Sequence, residues 1–390
     1  MTSIMATMPQ LGKLTLDAPF FQAGLAGYSD GAMRRVARRH GCPYAVTEAM
    51  LDLFLLNGGK GLRAAELHDE DHPIAGQLMG SHPRDMGRAA KVLLSLGYDV
   101  IDVNLACPVK KIRKRCRGGH LMSQPDEAIA ILAAVRDAVP GDVPCTVKLR
   151  RGSDDSPQAE ANFHRIFEAV IALGYAGAVV HGRTVEQKYI GPSRWAFLRD
   201  LVATYSGVRV SGIGCREDAG SPAAASSRHP IRDTRHPLPH TPHPTPHAPP
   251  PHFLIGGSGD IWSAPDIFRM IRETGVQLVS VARGCIGNPW IFAQARALMH
   301  GLPPREPTLD EQRAVLLDHF HLSVALHGEK MAGQMMRKFG IKFARHHPDP
   351  DAVKAAFITV HGVADWHTVL STYYACTHAG TQAACAGAAA

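Results

Sequence analysis

Short apolar runs that end on glycine or a polar residue recur along the chain, separated by longer stretches in which apolar positions return every three or four residues. The runs are APFFQAGLA (18–26), YAVTEAM (44–50), PIAGQLMG (73–80), DVIDVNLAC (99–107), PCTVKLRRG (144–152), AGAVVHGRT (176–184), FLIGGSGD (253–260) and QLVSVARG (277–284). Short runs with so little alternation read as strands of a parallel sheet buried on both faces, with amphipathic helices between them. DGAMRRVARRHG sets Met33, Val36 and Ala37 on one helical face, and HPRDMGRAAKVLLSLG carries Pro83 where a first turn accepts it. Eight such strands with following helices predict an α/β fold, a (β/α)8 TIM barrel, over residues 18–305 after an N-terminal extension (1–17).

Two regions depart from the repeat. After residue 305 come DEQRAVLLDHFHLSVALHG, EKMAGQMMRKFGIKFARH and DAVKAAFITVHG, broken near HHPDPD and without a comparable strand. They predict a small C-terminal helical domain over 306–378, followed by a small-residue tail, 379–390, that reads as disordered. Residues from about 215 to 252 are crowded with Pro and His and hold almost no large apolar residue, so they cannot repay the entropy of ordering and read as a disordered insert. Their HP and HTP spacing sets no ligand geometry, and no metal is expected. VRVSGIG (208–214) competes for the seventh strand, but FLIGGSGD leads directly into a Gly-rich turn and a helix.

In a barrel the chemistry gathers at the C-terminal ends of the strands. Those ends here carry Gln77, Asn104, Cys107, Lys148, Arg150, His181, Arg183, Asp260 and Arg283, a polar ring that a purely structural barrel does not need. GGSGDIWSAPDIFRMI and VARGCIGNPWIFAQA place small residues between strand and helix at the seventh and eighth units, where backbone amides and helix starts bind phosphate. Flavin mononucleotide with its phosphate there would lie across the mouth, and Gln77 and Lys148 are the right types for its ring, with His181 able to reach ring or phosphate. The net charge of +7 fits a polyanionic partner. Eight irregularly spaced cysteines read as reduced thiols. With no export signal and no apolar stretch of about eighteen residues, the chain reads as cytoplasmic, with no membrane association and no protein partner expected.

QAGLAGYSDGAMRRVARRHGCPYAVTEAM, DVNLACPVKKIRKRCRGGHLMSQPD, VKLRRG, VVHGRTVEQKYIGPSRW, GSGDI and VARGCIGNPWIF, in this order, resemble the bacterial FMN-dependent tRNA-dihydrouridine synthases. The resemblance covers about residues 18–206 and 253–375. It implies a flavoprotein oxidoreductase in tRNA processing that reduces the uracil C5=C6 bond, with NADPH or NADH reducing the FMN. By similarity the hydride passes from flavin N5 to C6 while Cys107 donates a proton to C5, helped by a cationic surrounding. Asn104 matches a position near flavin or substrate. Gly24, Leu25 and Ala26 would border the flavin ring, Gln77 and Lys148 would bond it, and Ser258, Gly259, Asp260, Ala282 and Arg283 would hold its phosphate arm. The family commonly has Pro, Asn and Gly where Gly24, Ser258 and Ala282 stand. Lys110, Lys111, Arg113 and their neighbours through Arg117, with Arg183 and, on the helical domain, Arg337 and Lys338, would meet tRNA phosphates. Two other readings are another FMN-dependent oxidoreductase acting on a free pyrimidine or enone, and a tRNA-binding homologue impaired in catalysis by the insert.

Overall fold

The computed structural model describes residues 8–109, 117–205 and 253–375. Lys110, Lys111, Arg113, the insert, VRVSGIG and the 379–390 tail therefore lie outside the described residues. A hairpin of β1 (Gln10–Leu11) and β2 (Leu14–Thr15) comes first. Then follow β3 (Phe20–Gln22), β4 (Ala45–Val46) with its continuation β5 (Met50–Leu51), β6 (Ile74–Met79), β7 (Val100–Leu105), β8 (Cys145–Arg150), β9 (Gly177–His181), β10 (Leu254–Ser258) and β11 (Leu278–Val281). From β3 onward neighbours pair in parallel, and the sheet closes through β11 on β3 and β4 on both β3 and β6. Each apolar run holds its strand, and FLIGGSGD supplies the seventh, paired with β9 from Leu254 to Ser258.

Alternation along the strands divides the side chains between the outer helices and the barrel interior. At the lower, N-terminal end the interior is filled by Phe21, Val46, Val100, Val179, Leu254 and Leu278, all buried. Leu11 and Leu16 join this cluster, so the segment expected only as an extension seals the base of the barrel. Outside, the helix Gly31–Arg39 buries Met33, Val36 and Ala37 as its spacing predicts, and Asp30 caps it by accepting from Met33 N at 2.9 Å. Pro83 opens the helix Pro83–Ser95. The helix Trp195–Tyr205 ends on a small aromatic cluster in which the rings of Tyr205 and Phe253 both pack on Phe167, with centroids 4.9 and 5.6 Å away.

Four helices follow the barrel: Leu309–His327, Glu329–Phe343, Pro350–Ile358 and Val363–Tyr373. The sequence pattern predicts the first three. The last is short and rich in Val and Thr, weak helix formers, and it is held by burying Trp366, Val369 and Leu370. The first of the four packs on Gly31–Arg39, and His327 Nε2 lies 2.8 Å from Asp30 Oδ2. Arg345 donates to the carbonyls of Gly284 and Ile286 at 3.1 Å, tying the helical region to the loop after β11. Among the described residues, no helix is long and apolar enough to cross a membrane, and no group of three or more His, Cys, Asp or Glu is placed to hold a metal ion.

Candidate active site

Above the apolar base, the barrel interior turns polar. Asp102, in the middle of β7, accepts from Gln77 Nε2 of β6 at 2.7 Å and from Thr146 Oγ of β8 at 2.6 Å. Gln77 Oε1 accepts from Asn104 Nδ2 at 2.7 Å, and Asn104 Oδ1 accepts from the backbone N–H of Ala106 and of Cys107, each at 3.0 Å. One line of bonds thus runs from a buried carboxylate to the backbone of the thiol-bearing residue. Burial raises the Asp102 carboxyl above its ordinary range, against the opposing pull of its bonds to Thr146 and Gln77. Asp102 and Thr146 were not expected from the sequence, since they sit inside strands rather than at their ends.

Lys148 faces the same space, and among the described residues its buried Nζ has no hydrogen-bond partner. Burial and then the charge of Arg150 push it down to about 7, partly offset by Asp102. His181 is driven down to about 2, by burial first and then by Lys148, Arg150, Arg183 and Arg283, so the ring is neutral. Its Nδ1 accepts from the Arg183 backbone N–H at 3.2 Å, which leaves Nε2 to carry the proton. Four cationic side chains thus act on one neutral imidazole.

At the end of β10, Gly259 holds φ +113°, and a Cβ there would lie 2.4 Å from Ser193 Oγ, so only glycine fits. Asp260 accepts two bonds from Arg183 Nη2, at 2.8 and 2.9 Å, and one from Ser193 N at 2.7 Å. Arg183 is therefore no RNA-facing cation: it is 3% exposed and its charge is committed to Asp260. Arg283 stands between the rings of Tyr189 and Trp262, at 5.0 and 4.6 Å, and 3.9 Å from Asp260. Both rings are largely exposed, and loops gave no periodic signal that would have singled them out.

One cavity of about 420 Å³ joins these parts. Gly24, Leu25 and Ala26 after β3, Gln77, Asn104, Cys107, Lys148, His181, the Ser258–Gly259–Asp260 turn, and Ala282 with Arg283 all line it. Cys107 is half-buried. Among the described residues the cation beside it is Arg150, which donates from Nε to the Ala106 carbonyl at 2.8 Å and from Nη1 to those of Thr184 and Lys188. Arg117, expected to face RNA, is instead buried and lies 3.6 Å from Asp52. On the helical region Arg337 is exposed, whereas Lys338 donates to the Gly27 carbonyl and sits 4.8 Å from the Tyr28 ring, so its charge faces the barrel.

A family model described as dihydrouridine synthase matches residues 21–215 and 253–367. The chain belongs to the dihydrouridine synthase family. A probable tRNA-dihydrouridine synthase of Rhodobacter capsulatus is 29% identical, over 86% of this chain and 87% of that one. The tRNA-dihydrouridine synthase B of Xanthomonas campestris is 29% identical over 87% of each, and that of Shewanella oneidensis 26% over 94% and 98%. Among solved structures, histamine dehydrogenase from a Rhizobium species aligns with a TM-score of 0.50 at 13% identity, over 81% of this chain and 50% of that one. A 6-hydroxypseudooxynicotine amine oxidase from Pseudomonas geniculata aligns at 0.51 and 12%, over 80% and 52%. At such identities the likeness is one of barrel fold, and the chain spans about half the length of each. Family membership makes the chain an oxidoreductase, with the polar half of the barrel as its candidate active site.

Proposed function

We propose that this member of the family reduces the C5=C6 bond of particular tRNA uridines with FMN, which NADPH or NADH reduces in turn. The observation that carries the reading is the buried, unpartnered Lys148 Nζ beside the bonded line from Asp102 to Cys107. A buried amine without a partner is costly in the free protein and suits a ligand that brings negative charge. The residues present fit FMN: Gln77 and Lys148 for the ring, Gly24 to Ala26 along its border, His181, Arg283 and the Ser258–Gly259 and Ala282 backbone for the phosphate arm. Asp260 holds Arg183 in place and keeps the cation cluster from being fully uncompensated. When bound, FMN supplies the hydride that uracil C6 receives from N5.

Cys107 supplies the other half of the reduction. Its Sγ–H bond breaks as a C–H bond forms at C5, the thiolate remains next to Arg150, and water returns the proton after product leaves. Asn104 fixes the backbone of Cys107 and thus where the thiol stands. The uridine must be turned out of its stack to reach the cavity, and the exposed Tyr189 and Trp262 rings at the mouth offer faces for bases. Arg337 and the Lys110, Lys111 and Arg113 run supply cations for phosphates. The test is to incubate the purified protein and NADPH with tRNA lacking dihydrouridine and map the changed uridines by mass spectrometry. Cys107→Ala is expected to stay yellow and to lose about 10²- to 10⁴-fold in turnover. Full turnover in that variant overturns the proton assignment, and a colourless protein that cannot be reconstituted with FMN overturns the flavin reading.

A further inference from the structure

We infer that the buried Asp52–Arg117 ion pair anchors Cys107 at the reacting edge, so that both are positioning residues for proton donation. The inference rests on the reading of Cys107 as proton donor. Asp52 opens the short helix that follows β5 and is fully buried, and Arg117 is 7% exposed. Their closest nitrogen and oxygen are 3.6 Å apart. Asp52 Oδ1 takes the Leu53 N–H at 2.8 Å, but among the described residues Oδ2 has no hydrogen bond, and neither has Arg117 Nε. Among the described residues, each charge faces the other as its counter-charge. Gly80, at the end of β6, leaves the room: a Cβ there would lie 2.1 Å from Asp52 Oδ2.

What Arg117 carries is the back wall of Cys107. The next residue, Gly118, lies so close that a Cβ on it would stand 3.0 Å from Cys107 Cβ, and the Gly119 N–H donates to the Cys107 carbonyl at 3.0 Å. Asn104 holds the Cys107 backbone from the strand side, and the turn beginning at Gly118 holds it from the other. Pulling Arg117 towards Asp52 seats that turn. A buried pair of this kind adds little net stability over an apolar pair, but it is directional and sets a position. It also takes one cation of the basic run away from any role at the surface.

The experiment compares Asp52→Asn, Arg117→Met and Arg117→Lys with the wild-type and Cys107→Ala holoenzymes. We expect the first two to lower kcat tenfold or more at saturating tRNA, with KM for tRNA and flavin content unchanged. Iodoacetamide modification of Cys107, followed on its own peptide, should rise severalfold as the wall loosens, and Arg117→Lys should recover at least half of kcat. A lower melting temperature with kcat per folded molecule and Cys107 modification at wild-type values would reduce the pair to a structural brace. A raised KM at constant kcat would make Arg117 an RNA contact, and either result overturns the inference. If a single variant does not fold, Asp52→Leu with Arg117→Met removes both charges and is measured instead, where wild-type kcat overturns and a reduced kcat supports. Should Cys107→Ala keep full turnover, the donor reading fails whatever the pair variants do. Should it lose turnover while they keep theirs, only the anchoring fails.

Discussion

The two halves of the barrel interior are built from the same strands to opposite ends. Below, Phe21, Val46, Val100, Val179, Leu254 and Leu278 make an apolar plug closed by the Leu11 and Leu16 hairpin. Above, two residues further along several of the same strands, stand Asp102, Lys148, His181 and Ser280, all at least largely buried and two of them short of partners. The lower half contributes stability by removing apolar area from water, whereas the upper half costs stability to keep charge ready for a ligand. Fold and function are separated here by about one turn of the pleat, so substitutions can tell them apart.

The largest effect should come from the lower half. Phe21→Ala is expected to cost about 3–5 kcal/mol of unfolding free energy in urea melts. Phe21 lines only the apolar floor of the cavity, so turnover per folded molecule should fall far less than it does when Lys148 is replaced. Lys148→Met should do the reverse: turnover falls about 10²- to 10³-fold, while the flavin-free protein gains about 1–2 kcal/mol because a strained site is relieved. A Lys148→Met protein that is less stable than wild type would break the comparison. Asp102→Asn keeps the shape but cannot accept from both Gln77 and Thr146 at both ends, leaving one buried donor unpaired at a cost of about 1–3 kcal/mol. Its turnover should drop about tenfold, measured at saturating NADPH and tRNA.

A further effect is one of pH. Lys148 titrates at about 7 in the fold, below about 10.4 for a free lysine. Between those values the unfolded chain binds the extra proton, so stability of the flavin-free protein rises with pH from about 7 to about 10, and this contribution is flat below 7. Urea midpoints across that range should show the rise in wild type and lose it in Lys148→Met.

Periodicity made the strands legible because a barrel strand buried on both faces has few ways to be written. The polar ends stood out for the same reason, since charge at the end of an apolar run is conspicuous. Asp102 was hidden by its neighbours: flanked by Ile101 and Val103, it reads as one polar interruption, and only the register with Gln77 and Thr146 shows its task. The cations were harder still. Arg183 and Arg117 look like surface charge in the chain, and what takes each from the surface role is a partner far away in sequence, Asp260 or Asp52. Burial of a charge depends on where its counter-charge folds, and spacing along one chain does not carry that.

The packing of Tyr205 and Phe253 on one side of Phe167 has a practical meaning. The two ends of the described chain on either side of residues 206–252 meet over a single ring, just before β10 enters the sheet and thus at the opposite rim from the cavity. That rim is a natural port for rebuilding the molecule. Replacing residues 216–252, which lie outside the stretches the family model matches, by a few glycines and serines should leave flavin content and turnover within about twofold of wild type.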